Sequence, residues 1–284
     1  MNSLFSNYFN STHRVLLLGI LFGIKSQIPL ELSTALKNSG TIHTVVVSGF
    51  NINIVFNTLF VLTSKLGKRV SFILSIFSVL YYVHIVGPTP PVLRALFMCL
   101  MYRFSKLCGR ESRGLYILIA SMIVMLTINP HLISDISFQF SFTSTLGLIL
   151  FNSKINNLLT KLPILKHFPK LVLEPFSETL SANLLLTPLI SYYFGRLSLV
   201  SPLANIFISF LIAPITYLGF IFIPFEWVDP ILGTLVALPL KILLTIFVTL
   251  VTFFGELSFS STWFRITTFE MALYYVLLAL FLIV

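Results

Sequence analysis

Long apolar runs alternate with short polar segments along this chain of 284 residues. Several runs approach the ~20 residues that a helix needs to cross a bilayer, and several contain Pro or Gly. The pattern predicts an all-α fold, namely a polytopic transmembrane helical bundle with broken and re-entrant helices. Roughly seven to nine helical segments are expected, suggested by apolar runs at 39–60, 70–86, 92–102, 115–128, 133–151, 171–193, 203–224, 230–254 and 271–284.

Two shorter elements precede these runs. The run 15–24 is too short to span a bilayer alone, and 30–37 has the pattern of an amphipathic helix at the membrane interface. We therefore expect an N-terminal tail with interfacial helices in 1–38 and a transmembrane domain in 39–284. The last run has 14 residues, so either its helix starts earlier or the chain is a piece of a longer protein, truncated at its C-terminus.

The stretch 39–60 is apolar overall but carries several polar side chains at membrane depth. Such groups are expensive in lipid, so they usually face a cavity, a partner helix or a pathway. On one continuous helix they would fall on both sides, which predicts either a helix buried all round or a break at Ser48-Gly49. Hydrogen bonding to neighbouring helices is the simpler explanation for any single one of them. The polar residues are His43, Ser48, Asn51, Asn53 and Asn57.

Two later segments carry a charged residue near their start, Arg94 after Pro90-Pro91 and Asp135 after Asn129-Pro130. Arg94 either pairs with Asp135 or offers positive potential to an anionic substrate. Gln139 shares a helix face with Asp135 and needs a hydrogen-bond partner. A second face of the same segment is most simply a close-packing surface; it carries Ser137, Ser141 and Ser144.

Composition and charge support a membrane protein. The chain is 57% hydrophobic and 10% charged, whereas a soluble domain carries about 25% charged residues. Its net charge is +9, and 11 of the 18 Lys and Arg fall in three loops, 64–69, 103–113 and 153–170. The positive-inside rule places these loops in the cytoplasm of a multi-pass protein of the cell (inner) membrane. The charge alone is therefore weak support for a nucleic-acid partner.

Enzymatic chemistry has little support in the sequence. No His, Cys, Asp or Glu set has metal-ligand spacing, and no glycine-rich phosphate loop is present. Ser48-Gly49 with a membrane histidine superficially suggests an intramembrane serine hydrolase. A nucleophile needs a base within hydrogen-bond reach, however, and His84 and His131 are weak candidates. We therefore predict no catalytic residue, metal or cofactor, and a protein that is not an enzyme.

Four motifs in order resemble the competence domain of the ComEC family, the inner-membrane proteins that pass single-stranded DNA into bacteria during transformation. The resemblance covers roughly 15–224, and one departure is Asn51, where many members have a second histidine. Full-length relatives often add an N-terminal β domain and a C-terminal metallo-β-lactamase-like domain, neither of which this sequence encodes. The motifs are Gly40 with His43, Ser48-Gly49 and Asn51; Pro90-Pro91-Val92-Leu93-Arg94-Ala95; Asn129-Pro130 with Asp135 and Phe138-Gln139-Phe140-Ser141-Phe142; and Ser201-Pro202-Leu203-Ala204-Asn205 with Pro214.

The resemblance implies a channel for incoming single-stranded DNA. It also implies a separate DNA receptor and a cytoplasmic ATP-driven helicase or translocase as partners beside the lipid bilayer, and it allows a homo-oligomer. The alternatives are a small-solute or ion transporter that uses the same polar centre and, less favoured, the intramembrane hydrolase. Residues expected to line or gate the path are His43, Ser48, Gly49, Asn51, Arg94, Asp135, Gln139 and Ser141. Structural breaks are expected at Pro91, Pro130, Pro188, Pro202, Asn205 and Pro214.

Overall fold

The computed structural model describes residues 5–24, 28–45, 47, 49–111, 113–162 and 169–283. These residues form eleven α-helices, three short 3₁₀ turns and one small sheet. The helices are α1 Ser11–Phe22, α2 Leu30–Asn38, α3 Gly49–Leu62, α4 Lys68–Val86, α5 Pro90–Leu107, α6 Gly114–Ile128, α7 Ile136–Lys161, α8 Lys170–Phe194, α9 Ser201–Val228, α10 Pro230–Glu256 and α11 Thr268–Ile283. The predicted predominance of helix is confirmed.

Among the described residues, three helices are long and apolar enough to cross a membrane, namely α4, α9 and α10. The shorter apolar helices are α1, α3, α6 and α11. Large apolar side chains lie exposed along several of these helices, among them Phe77, Ile123 and Leu235. Such surfaces are expected where lipid rather than water is the solvent, so the fold is that of a helical membrane protein.

The chain forms two compact units, each assembled from separate parts of the sequence. Unit 1 comprises Met1–Leu30, His43–Phe138 and Phe210–Thr249, and unit 2 comprises Glu31–Ile42, Gln139–Ser209 and Leu250–Val284. The predicted boundary between residues 38 and 39 concerns placement in the membrane. The two compact units do not bear on placement in the membrane, so the boundary between residues 38 and 39 stays a prediction.

Unit 1 has its apolar core where α3, α4 and α5 pack together. Ile52 and Phe56 of α3 are fully buried there against Val79 of α4 and Val92 of α5. The C-terminal end of α1 also belongs to this unit. Its residue Leu21 contacts Gly219 of α9 so closely that a Cβ at Gly219 would lie 2.8 Å from the leucine side chain.

Unit 2 has α7 and α8 in close contact. A Cβ at Gly147 of α7 would overlap the carbonyl oxygen of Ser181 on α8, so only a glycine permits this approach. One turn earlier in α8, the Ser177 hydroxyl donates to Asn152 Oδ1 at 2.7 Å. Small residues and hydroxyls at a helix–helix contact are typical of membrane helices.

A small sheet in unit 2 was not indicated by the sequence pattern. Strand β1, Arg196–Ser198, pairs antiparallel with β2, Ser261–Trp263, and Arg196 lies opposite Trp263. The Arg196 guanidinium carbon lies 4.0 Å from the centre of the Trp263 ring. Strands of three residues are too short to show a period of two, which explains why helix was the only regular structure expected.

The six predicted breaks fall at two kinds of position. Pro91 and Pro202 lie in the first turns of α5 and α9, and Pro130 begins a 3₁₀ turn, Pro130–Ser134. These positions suit proline because the first N–H groups of a helix have no intrahelical partner. The chain runs as continuous helix through the other three positions, Pro188, Asn205 and Pro214.

The continuity of α8 through Pro188 has a visible cause. Proline lacks the N–H that would bond the carbonyl four residues earlier, which here belongs to Leu184. The Tyr274 hydroxyl of α11 donates to that carbonyl at 2.9 Å, and Tyr275 donates to the next one, of Leu185, at 2.8 Å. Partners from a neighbouring helix thus replace the missing bond and make a break unnecessary. At Asn205 the side chain bonds Ser201 Oγ within the same helix, at 3.2 Å, and leaves the backbone intact.

Candidate functional site

The polar stretch 39–60 is interrupted where α3 begins. A 3₁₀ turn covers Ile42–Val45, and α3 starts at Gly49. The start of α3 therefore coincides with the predicted break at Ser48-Gly49, although Ser48 itself lies outside the described residues. A helix that begins inside an apolar stretch brings N–H groups without intrahelical partners to that depth.

The start of α3 lies against the first turns of α5. A Cβ at Gly49 would lie 3.3 Å from the Ala95 Cβ, which is tighter than an ordinary contact. Arg94 directly precedes Ala95 and is half-buried. Helix α5 itself begins only one turn earlier, with Pro90 and Pro91 in its first turn. The beginnings of two helices and an arginine thus meet within unit 1.

This arrangement favours negative charge. The N-terminal end of a helix carries about half a positive elementary charge, and Arg94 follows the first turn of α5, next in sequence to the residue that the start of α3 contacts. A guanidinium is always charged and presents its N–H donors in a fork that matches phosphate or carboxylate oxygens. Of the predicted site residues that the structure describes, Gly49 and Arg94 lie near the starts of these two helices.

Asn51 lies two residues after Gly49, but its side chain bonds the end of another helix, α1. Its side chain is 2% exposed, and Nδ2 donates to the Ile20 carbonyl at 2.6 Å. The Tyr82 hydroxyl, 3.5 Å from Asn51 Nδ2, donates to the Leu21 carbonyl at 2.6 Å. Both carbonyls belong to the last turn of α1, where the helix itself supplies no donors.

The backbone completes the end of α1. Gly23 has φ 72°, a left-handed conformation that glycine adopts without strain. Its N–H donates to the Gly19 carbonyl at 2.9 Å, and the Ile24 N–H donates to that of Leu18 at 3.3 Å. Asn51 and Tyr82 therefore finish a set of hydrogen bonds that fixes α1 to α3 and α4. Tyr82 was not among the predicted site residues, because nothing local to it indicates a partner 61 positions away.

Two further predicted residues of unit 1 lie at exposed positions. Asp135 precedes α7, and its Oδ1 accepts from the Phe138 N–H at 2.9 Å, which is the geometry of an N-terminal helix cap. His43 is exposed on the Ile42–Val45 turn. Asp135 thus has a clear role in starting α7, and an additional role in a path stays a prediction.

Gln139 and Ser141 belong to unit 2. Gln139 Oε1 accepts from the Tyr193 hydroxyl at 2.9 Å, and the neighbouring Phe140 ring packs edge-on against Tyr193 at 6.0 Å. Ser141 is 7% exposed. The contacts of Gln139 and Phe140 tie α7 to α8. A role for either residue in a path stays a prediction.

The last of the four motifs packs against the end of α2. A Cβ at Gly40 would lie 2.6 Å from Ser201 Cβ, and Gly40 has φ 70°. The Ser198 hydroxyl donates to the Asn38 carbonyl at 2.6 Å. Asn205 is 4% exposed, and its Oδ1 has no hydrogen-bond partner among the described residues. Nowhere among the residues that the structure describes do three His, Cys, Asp or Glu side chains come close enough together to hold a metal ion.

The described residues define a helical membrane protein with a positively polarised site between two helix starts. A sequence model of the competence protein family matches residues 20–284, and the chain therefore belongs to this family. The resemblance to the ComEC family carried by the four motifs is confirmed.

Two relatives extend this comparison. The chain is 30% identical over 191 residues to ComE operon protein 3 of Bacillus subtilis (strain 168), a match that covers 65% of this chain and 23% of that protein. It is 32% identical over 139 residues to an uncharacterized protein of Aquifex aeolicus (strain VF5), covering 48% and 33% respectively. The chain thus spans about a quarter to a third of the curated relatives it matches. No solved structure matches it.

Proposed function

We propose that this chain forms part of the membrane path by which single-stranded DNA enters the cell during natural transformation. Membership of the competence protein family supports the process. The helices of membrane-spanning length support the location. The observation that carries a role in transport is the meeting of the starts of α3 and α5 at Arg94 in unit 1.

The chemistry of that site suits a nucleic-acid backbone. Each phosphodiester carries one negative charge, which loses its water when the strand enters an apolar layer, and a buried charge needs a partner. Helix N-termini and an arginine provide such partners without sequence preference. Contacts of this kind to successive phosphates would let any sequence pass, because they carry no base information.

Residues around the site take different parts in this proposal. Arg94 contacts the phosphate, and Gly49 keeps the start of α3 close to α5. Asn51 supports the site by holding α1 to α3 and is not part of its lining. The proposal also includes three predictions. The basic loops lie on the cytoplasmic side, a separate protein serves as DNA receptor, and another acts as an ATP-driven helicase or translocase.

The experiment measures import of labelled DNA in a naturally transformable strain. The native gene is deleted, the protein is supplied again with or without Arg94→Gln, and DNA protected from external nuclease is counted. We expect import to be lost on deletion and lost again with Arg94→Gln, while the protein level and DNA binding at the cell surface stay normal. Lys161→Gln, which removes an exposed positive charge at the end of α7, is the matched control and should import normally.

Two outcomes separate the parts of the proposal. Normal import in the deletion strain would refute the DNA path and leave a small-solute or ion transporter, which proteoliposome uptake without DNA would detect. Import that is lost on deletion but normal with Arg94→Gln would keep the DNA path and exclude Arg94 as its phosphate contact.

A further inference from the structure

A pocket of about 130 Å³ lies in unit 1 between α3, α4 and α5. It is found where α3 and α5 end and α4 begins, next to the basic segments 64–69 and 103–113. Its walls are mostly apolar, and its two polar side chains are both cationic. The lining residues are Phe56, Phe60, Phe72, Arg103, Lys106 and Leu107.

Arg103 is held in place by contacts with Phe56, Asn57 and Cys99. Its guanidinium carbon lies 4.9 Å from the centre of the Phe56 ring, and Nη2 donates to the amide oxygen of Asn57. Its Nε is buried and has no hydrogen-bond partner among the described residues. A guanidinium has five N–H donors, which is more than the contacts with Asn57 and Cys99 use, and the orientation of Arg103 is already fixed before a ligand arrives.

Positive charge predominates in the helices that form the pocket. From residue 32 to residue 110 the sequence contains no Asp or Glu, and these positions include all of α3, α4 and α5. Lys65, Lys68, Arg69 and Lys106 are exposed near the same helix ends. This concentration of positive charge favours an anionic partner.

The apolar walls decide which anion fits. Phe56 is 0% exposed, and its ring is covered by Phe60 at 6.0 Å, by Phe72 at 5.9 Å and by Arg103. It therefore offers no free face on which a nucleobase could stack. A volume of 130 Å³ corresponds to about four waters at ~30 Å³ each, enough for a phosphate and the adjoining atoms but not for a whole nucleotide.

The surroundings of the pocket are those of a lipid site. Val61, Leu62 and Leu66 at the end of α3 are 62–71% exposed, and Phe104 of α5 is 62% exposed. We propose that the pocket binds the phosphodiester of an anionic phospholipid at Arg103 and Lys106, with the acyl chains along these exposed apolar side chains. Basic pockets between membrane helices on the cytoplasmic side are typical sites for acidic head groups.

The test uses the purified full chain in detergent, without DNA, so it does not depend on the proposed function. Phosphatidylglycerol or phosphatidylcholine is titrated in, and bound lipid is measured by native mass spectrometry. We expect tighter retention of phosphatidylglycerol, weakened about fivefold by Arg103→Gln and about fivefold by Lys106→Gln, since each cation near the surface contributes a factor of this size. Arg103→Lys, which keeps the charge but loses the fork, should weaken binding less than Arg103→Gln.

The controls keep this inference falsifiable. Lys154→Gln removes an exposed cation of α7 and should leave retention unchanged, and Lys106→Gln tests the pocket even if replacement of Arg103 disturbs α3. Equal retention of both lipids, or an equal loss with Lys154→Gln, would overturn the proposal. A short single-stranded oligonucleotide that displaces phosphatidylglycerol in an Arg103-dependent manner would assign the pocket to nucleic acid instead.

Discussion

The two compact units use their polar side chains in different places. In unit 1 these groups lie at helix ends, where Asn51 and Tyr82 bond the last carbonyls of α1 and Arg94 follows the first turn of α5. In unit 2 Ser177 and Gln139 connect α7 to α8, although the Ser198 hydroxyl bonds a carbonyl at the end of α2. Both units satisfy polar groups within an apolar fold, with helix ends prominent in unit 1 and contacts between helices prominent in unit 2.

The difference bears on where function is expected. A helix end leaves backbone groups and a partial charge available to a ligand. A hydroxyl or amide along a helix face is already used by its neighbour, and the small residues beside it allow the helices to approach. We therefore regard unit 1 as the unit that contacts an anionic ligand and unit 2 as a support whose polar residues stabilise packing.

The sharpest comparison replaces one glycine by alanine in each unit. At Gly147 the new methyl group would overlap a backbone carbonyl of α8, which no side-chain rotation can relieve. Overpacking of this kind costs about 1–3 kcal/mol of the free energy of unfolding. At Gly49 the nearest atom is the Ala95 methyl at 3.3 Å, and we expect a change within about 0.5 kcal/mol because small shifts relieve the contact.

Unfolding of the purified variants in mixed micelles of detergent and sodium dodecyl sulfate measures both changes. Gly49→Ala should nevertheless lower DNA import, because the methyl group pushes the start of α3 away from α5. Equal destabilisation by the two substitutions would contradict the distinction between a packed helix face and an accessible helix start.

A second comparison removes one amide from each unit. Asn51→Leu leaves the buried Ile20 carbonyl without its donor, and an unsatisfied buried group costs about 1–3 kcal/mol. Gln139→Leu removes an acceptor from Tyr193, whose side chain is 37% exposed, so other partners remain within reach and the loss should be smaller. Asn51→His keeps an N–H donor and should recover part of the loss. The same micelle titration measures all three, and a larger loss for Gln139→Leu would refute the structural role of Asn51.

Much of the helical architecture could be predicted from apolar runs alone. The run 70–86 corresponds to α4 at Lys68–Val86, and the run 230–254 corresponds to α10 at Pro230–Glu256. The polar stretch 39–60 also indicated an interruption near Gly49, because one continuous helix could not hide polar groups on both faces. These features depend on residues close together in the sequence, so local patterns report them.

The partners of the polar residues could not be predicted in this way. Asn51 was recognised as unusual, but its bond to Ile20 and the role of Tyr82 depend on how α1 packs against α3 and α4. Pro188 was expected to break a helix. The tyrosines of α11 that bond the Leu184 and Leu185 carbonyls lie 90 positions further along the sequence, so nothing near Pro188 indicated them. Long-range packing decides each of these cases, and a single sequence carries no signal of it.

The role of Tyr274 can be isolated with a double-mutant cycle. Tyr274→Phe removes the donor to the Leu184 carbonyl, and we expect a loss of about 1 kcal/mol, typical of one hydrogen bond. In a Pro188→Ala background the restored N–H bonds that carbonyl within the helix, so the same substitution should cost markedly less. Tyr116→Phe, at an exposed position on α6, is the control. Equal costs of Tyr274→Phe in both backgrounds would show that Tyr274 does not compensate for the proline.

The smallest effect is expected where unit 2 is held together by exposed side chains. Arg196→Gln removes the guanidinium that lies 4.0 Å from the Trp263 ring centre. An exposed cation–π pair contributes about 0.5–1 kcal/mol, and Trp263 is 74% exposed, so the lower end applies. Tryptophan fluorescence during unfolding reports this change, with Trp227→Phe removing the other tryptophan. A loss of free energy of unfolding as large as that of Asn51→Leu would contradict this expectation. It would mean that the small sheet of unit 2 depends on this one contact, as the end of α1 in unit 1 depends on Asn51.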